Sequence, residues 1–236
     1  MNAARLATAW MGDPAHWHGS DGILRRLAEH LELSGTGLAL AILLALPVGI
    51  WLGHRRRAGL LLINLANIGR ALPSLAILAF ALPIAFRLGL GLGFWPTVFM
   101  LVPLGVPLIL TNAVVAIQAV DRDAVDVGRG MGMRGAELLR EIELPLAAPV
   151  ILAGIRNAAV TIVATATLGA LVASGGLGRY IVDGLARQET GRLLAGAILV
   201  ALLALATEAG FAALERMVVP AGVAVAQASE IEEGTR

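Results

Sequence analysis

Side chains able to do covalent chemistry are few in this 236-residue chain, and they are poorly placed for it. A serine nucleophile needs a base within hydrogen-bond reach. Ser74 and Ser174 have no histidine partner in any apolar run, because His16, His18, His30 and His54 all fall in the N-terminal third. Cysteine is absent, which excludes a disulfide framework, a thiolate metal site and a cysteine nucleophile. All 18 basic residues are arginine. A phosphate loop of the Gly-x-x-x-x-Gly-Lys-Ser/Thr type therefore cannot exist here in its usual form, so any ATP chemistry must sit on another chain. Gly175, Gly176 and Gly178 follow no strand and have no phosphate-cradling context. No catalytic residue and no metal ligand set is expected.

The remaining candidates are charges inside apolar sequence: Arg70, Arg156 and Glu208. A charge at mid-membrane costs about 2.5–3.5 kcal/mol on insertion scales, so each must face protein or water. Arg156 can snorkel or pair with Glu208, in a structural or a gating role. Arg70, just before Pro73 and Ser74, is read as structural or gating, since an arginine does not help a cationic substrate. Gly154, Ala158, Thr161, Thr165 and Gly169 recur at helical spacing as a small-residue face. Such a face lets helices approach closely in lipid. It suits a pathway, with Thr161 and Thr165 as lining candidates, or a subunit interface, or ordinary packing.

These residues need spans to hold them. The composition is 58% hydrophobic and 15% charged, far from a soluble domain of this size. Five apolar runs reach the roughly 20 residues that cross a bilayer: residues 33–53, 59–84, 94–120, 146–173 and 193–214. Prolines within them are tolerated where neighbours satisfy the freed carbonyls. Residues 1–32, with Trp10 and Trp17, read as an interfacial segment, 33–215 as the membrane domain and 216–236 as a cytoplasmic tail turning acidic at Glu230, Glu232 and Glu233. The arginine cluster Arg55, Arg56 and Arg57 and the polar 121–143 segment place those two loops in the cytoplasm. A net charge of +1 offers no field for nucleic acid.

The segment 121–156 carries the most information. Asp121 can cap a first helical piece holding Ala124, Val125 and Val127. Gly128, Gly130, Gly132 and Gly135 are expected to break it and turn a sharp corner. A second piece puts Leu138, Leu139 and Ile142 on one face, with Pro145 ending it and Pro149 opening the next span. A bent, half-apolar element at a cytoplasmic surface suits docking into a partner's groove. A solvated helical loop fits the composition as well.

Asp126-Val127-Gly128, three residues, Gly132, nine residues, then Ile142-Glu143-Leu144-Pro145 resembles the EAA loop of permease subunits of binding-protein-dependent ABC importers. The acid of that pattern is kept, and Val-Gly stands for its Ala-Ala. Ala71-Leu72-Pro73-Ser74-Leu75-Ala76, Gly130-Met131-Gly132-Met133, Leu144-Pro145-Leu146, Ala153-Gly154-Ile155-Arg156, Ala166-Thr167-Leu168-Gly169-Ala170 and Gly175-Gly176-Leu177-Gly178 resemble, more narrowly, the osmoprotectant group of glycine betaine, carnitine and choline importers. The resemblance covers roughly residues 29–214. It implies an all-α integral membrane protein of the bacterial cytoplasmic (inner) membrane, with about five core transmembrane helices of the type I ABC importer permease fold. It also implies a cytoplasmic coupling helix comprising Asp126, Gly128, Gly130, Met131, Gly132, Met133, Leu138, Leu139, Ile142, Leu144 and Pro145. The implied partners are a second permease subunit, identical or paralogous, two ATPase subunits carrying ATP and Mg, an external substrate-binding protein and membrane lipid. This chain itself would bind no cofactor.

Two other readings compete. An amino-acid importer permease would share the loop. A self-contained secondary transporter would need internal repeats and mid-membrane acids, and of these only Glu208 is present. Quaternary ammonium groups are held by aromatic cages, yet the chain is 4% aromatic with one tyrosine, Tyr180. Selectivity is therefore expected to reside in the binding protein.

Overall fold

The computed structural model describes residues 3–56 and 73–218, and every regular element within them is helical. Helix α1 (Ala3–Gly12) leads through a 3-10 turn to α2 (Ile23–Arg55). Then come α3 (Ser74–Arg87), α4 (Phe94–Ala119), α5 (Arg122–Gly130) and α6 (Gly135–Leu138). A π-turn (Leu139–Glu143) joins α6 to α7 (Leu144–Thr165), and a 3-10 stretch (Ala166–Val172) extends α7. Helices α8 (Gly178–Ala186) and α9 (Thr190–Val218) are the last described elements. Among the described residues, four helical runs are long and apolar enough to span a membrane: Ile23–Arg55, Phe94–Ala119, Gly135–Val172 and Thr190–Met217. Of the second predicted span, only the apolar helix Ser74–Arg87 falls among the described residues. Arg57, Arg70 and the tail from residue 219 lie outside them.

The 33 residues of α2 extend about 50 Å at 1.5 Å per residue. The amphipathic 23–33 stretch and the first apolar run are thus one rod, and the expected boundary at residue 33 falls inside it. Pro47 is accommodated without a break, and the helix ends where Arg56 turns left-handed at φ 50 and donates its N–H to the Gly53 carbonyl.

What seats α2 is a stripe of small residues: Gly37, Ala41, Ala45, Gly49 and Gly53 recur every four positions, and all are buried. A Cβ on Gly49 would stand 2.7 Å from Ala113 Cβ, and one on Gly53 would stand 2.8 Å from Ile117 Cβ. In lipid, apolar burial cannot drive helices together, so close packing of small faces must do so. From the other side Gly105 of α4 closes on Ala41 and Ile162, while Gly154 of α7 lies against Asn112. Helices α2, α4 and α7 therefore share one core containing Leu101, Ile109, Ala158 and Ile162. A smaller cluster of Ile23, Leu177, Tyr180 and Val200 closes the opposite end, under α1 and α8.

Candidate functional site

Two chemically distinct places emerge: the bent element between α4 and α7, and a set of charges between α7 and α9. The bent element starts where the Asp121 carboxylate accepts from the Asp123 N–H at 3.0 Å. Helix α5 then runs through Gly128 and Gly130, which sequence reasoning expected to break it. Only Gly132 makes the corner, at φ +86. There the Met133 N–H reaches the Gly128 carbonyl at 3.1 Å and the Gly132 N–H reaches the Arg129 carbonyl at 2.9 Å. That pair of bonds is a Schellman cap, whose left-handed position favours glycine. Gly128 serves packing instead: its missing Cβ would lie 2.6 Å from Ile142 Cδ1 and 2.7 Å from Leu138 Cδ2. Asp126 forms an exposed ion pair with Arg129 at 3.0 Å.

The second half departs from expectation at Pro145. It neither ends a helix nor leaves a gap, because the run from Gly135 to Val172 is continuous. A proline cannot donate, and its ring crowds the carbonyl four residues back. The turn before it widens to π geometry, and the Leu144 N–H bonds the Leu139 carbonyl. Pro149 likewise sits inside α7. Leu138 is buried, and Leu139, Ile142, Leu144 and Met133 pack on the core. The large apolar side chains left outward on this element are Val127, 62% exposed, and Met131, 67% exposed. Glu143, only 2% exposed, accepts from His54 of α2 at 2.5 Å.

In the second place, Arg156 of α7 lies 3.3 Å from Glu208 and 3.1 Å from Glu215, both on α9. The Arg156–Glu208 pairing was legible in sequence; Glu215 was not, because it sits at the edge of the apolar run. One guanidinium faces two carboxylates, so the group carries a formal charge of −1. The small-residue face of α7 divides. Gly154, Ala158 and Gly169 are buried, whereas Asn157 and Thr161 are exposed and Thr165 is half-buried. Pro73 precedes α3, where its carbonyl accepts from Ala76 at 2.9 Å, and Ser74 is the first helical residue.

A third polar group at the far end was missed by sequence reasoning. Glu29 accepts from the Gly176 N–H at 3.0 Å. The His30 Nδ1 accepts from the Leu177 N–H at 3.3 Å, so its Nε2–H donates to the Val163 carbonyl at 2.9 Å. That is the neutral tautomer. Asp21 pairs with Arg26 and Arg192, each at 2.8 Å, and its backbone carbonyl takes the Tyr180 hydroxyl at 2.6 Å. Burial by itself would raise the Asp21 pKa, but the hydrogen bonds and charges of Arg26 and Arg192 outweigh it and hold the carboxyl below its ordinary value. Burial, then the Asp21 charge, pushes Tyr180 up to about 12. The four-residue window Gly175-Gly176-Leu177-Gly178 was the signal for this joint, since Gly176 is left-handed and sits on His30.

Comparison with known proteins gives concordant results. Residues 45–219 match the family described as binding-protein-dependent transport system inner membrane component. The choline transport system permease protein OpuBB of Bacillus subtilis (strain 168) is 38% identical over 201 residues, covering 85% of this chain and 90% of that protein. The glycine betaine/carnitine/choline transport system permease protein OpuCB of the same organism is 37% identical over the same share of each. Among solved structures, a chain of the inward-facing MetNI methionine ABC transporter superposes with a TM-score of 0.75 at 21% identity, covering 84% of this chain and 96% of that one. That likeness establishes the fold alone.

Proposed function

The chain belongs to the family of binding-protein-dependent transport system inner membrane components, and on that premise we propose that it is the subunit through which an ATP-driven importer passes osmoprotectants such as glycine betaine or choline. It is an all-helical inner-membrane protein of the type I ABC importer permease fold. The observation that carries the reading is the bent element: the motif spacing from Asp126 to Pro145 folds as one knot, with Gly132 at its corner and Val127 and Met131 left outward. Two exposed apolar side chains on a short helix suit the groove of a partner ATPase. That partner would hold ATP and Mg, and a separate binding protein would present the substrate at the opposite end, near α8.

The knot then lies on the cytoplasmic side, as the arginine-rich loops require. Passage runs along the exposed face of α7. The Asn157 amide would be costly toward lipid, so this face turns to water or a second permease subunit, while the Thr161 hydroxyl donates to the Asn157 carbonyl at 2.7 Å. Motion of the ATPase pair, carried by the knot, switches the spans between inward- and outward-facing states.

The test is uptake into proteoliposomes holding this chain with its ATPase and binding protein. Glycine betaine, choline and a neutral amino acid are compared, with and without ATP. ATP-dependent betaine or choline accumulation is expected. Accumulation of the amino acid alone would keep the importer and overturn the osmoprotectant assignment, while uptake driven by an ion gradient without ATP would overturn both.

A further inference from the structure

The bent element is tied to the rest of the described chain by one polar side-chain contact. Asp121, Asp126, Arg129, Glu137, Arg140 and Glu141 all make their bonds within the element itself. Among the described residues, His54–Glu143 alone crosses to another span, over 89 residues of sequence. Glu143 occupies the free position of Ile142-x-Leu144-Pro145 and sits in the π-turn. His54 is in the last turn of α2, and its Nε2 is 3.4 Å from where a Cβ on Gly135 would stand. The imidazole is therefore wedged between both ends of the α6/π-turn stretch.

Stability alone does not call for an acid here. A carboxylate taken out of water must be paired to break even, and an apolar side chain of similar volume in its place is often neutral or stabilising. The other contacts of the element are apolar: Gly128 on Leu138 and Ile142, and Met133 beside them. Apolar contacts fix distance but tolerate sliding, whereas a hydrogen bond to a carboxylate also fixes direction. A π-turn is, in addition, a local irregularity of the kind found frequently at functional sites.

From this we infer that His54 and Glu143 are positioning residues for transport: they form the joint that makes α2 move with the coupling knot, and through the glycine stripe of α2 the joint carries the ATPase stroke to α4. The inference rests on the importer reading above. It assigns a role to His54, which no motif marks, and to a position the motif leaves free.

The experiment uses the whole importer in proteoliposomes, with ATP hydrolysis and radiolabelled glycine betaine uptake measured on the same sample and the thermal midpoint measured in parallel. Glu143→Leu is the discriminating variant. It should assemble with the ATPase, keep a thermal midpoint equal to or above wild type, hydrolyse ATP within about twofold of wild type, and lose at least fivefold in uptake per ATP. His54→Ala should show the same loss of uptake per ATP, and His54→Gln, which keeps a donor for Glu143, should recover more than half of it. Wild-type uptake per ATP in Glu143→Leu overturns the joint. So does failure of Glu143→Leu to assemble or a lowered midpoint with hydrolysis and uptake falling in parallel, because the pair is then a structural brace. Absence of ATP-dependent betaine uptake in wild type is a separate outcome, and it refutes the osmoprotectant importer reading on which the inference rests.

Discussion

Gly132 offers the sharpest test of the proposed coupling role of its corner. Its φ of +86 lies in the left-handed region, while a Cβ built there meets nothing within 4 Å. A substitution is therefore opposed by backbone conformation alone and not by a clash. A residue other than glycine held left-handed costs about 1–2 kcal/mol, and asparagine and aspartate less because their short polar side chains tolerate that region. At 1.4 kcal/mol per factor of ten, alanine should depopulate the native corner by roughly 5- to 30-fold relative to glycine. The assay is uptake per ATP hydrolysed in reconstituted importer, with Gly132→Ala, Gly132→Asn and Gly132→Asp compared at matched membrane levels. The expected order is glycine first, then asparagine, then alanine. Aspartate should fall below asparagine by whatever its charge costs at the docking surface, since the two share backbone preference. Alanine equal to glycine would refute the argument that the Schellman corner must be populated for coupling. Asparagine no better than alanine would show that the side chain, and not the backbone, is what the partner senses.

Three further perturbations follow from the packing and the charges. Arg156→Gln should lower the thermal midpoint in detergent more than the triple variant with Glu208→Gln and Glu215→Gln, because the single change strands two carboxylates that now pair with Arg156; equal midpoints would show that these pairs add nothing to stability. Gly154→Val should cost about 1–3 kcal/mol or prevent insertion, as a side chain there overlaps Asn112, whereas Gly210→Ala, with nothing within 4 Å, should be neutral or stabilise by up to about 1 kcal/mol; melting curves of the two decide. The polar joint at the far end gives a pH signature of known sign. Tyr180 is raised to about 12, so the folded state resists deprotonation, and its stabilisation is complete below the ordinary tyrosine value and lost as pH climbs toward 12. Asp21 is lowered, so its contribution is complete above the ordinary carboxylate value and lost as pH falls below it. Tyr180→Phe should flatten the alkaline limb of the melting profile and Asp21→Asn the acid limb, and unchanged limbs would refute each assignment.

Much of the bent element could be read directly from residue order. Motif spacing and the glycine at its corner are local properties, and the left-handed position of a Schellman cap favours glycine. Pro145 misled because a proline is locally a helix stop; the π-turn that absorbs it depends on Leu138 and Ile142 packing against Gly128, which lies on a different helix. The same packing turned Leu138, Leu139 and Ile142 inward and left Val127 and Met131 outside, reversing which apolar face is free. The small-residue stripe of α2 was present in the sequence at i, i+4 spacing and went unread, since its length of apolar sequence already accounted for it as a span.

The sequence by itself determined that this chain lives in a membrane, that its spans are helical, and that a glycine-cornered polar segment interrupts them. Each of these follows from hydropathy and backbone preference over a few residues. Only the tertiary structure decided the joints: His54 to Glu143 across 89 residues, His30 to Val163 across 133, and Tyr180 to Asp21 across 159. Such pairs depend on how long helices are seated against one another, and that seating is set by where glycines let backbones approach, several turns away from the polar groups they bring together.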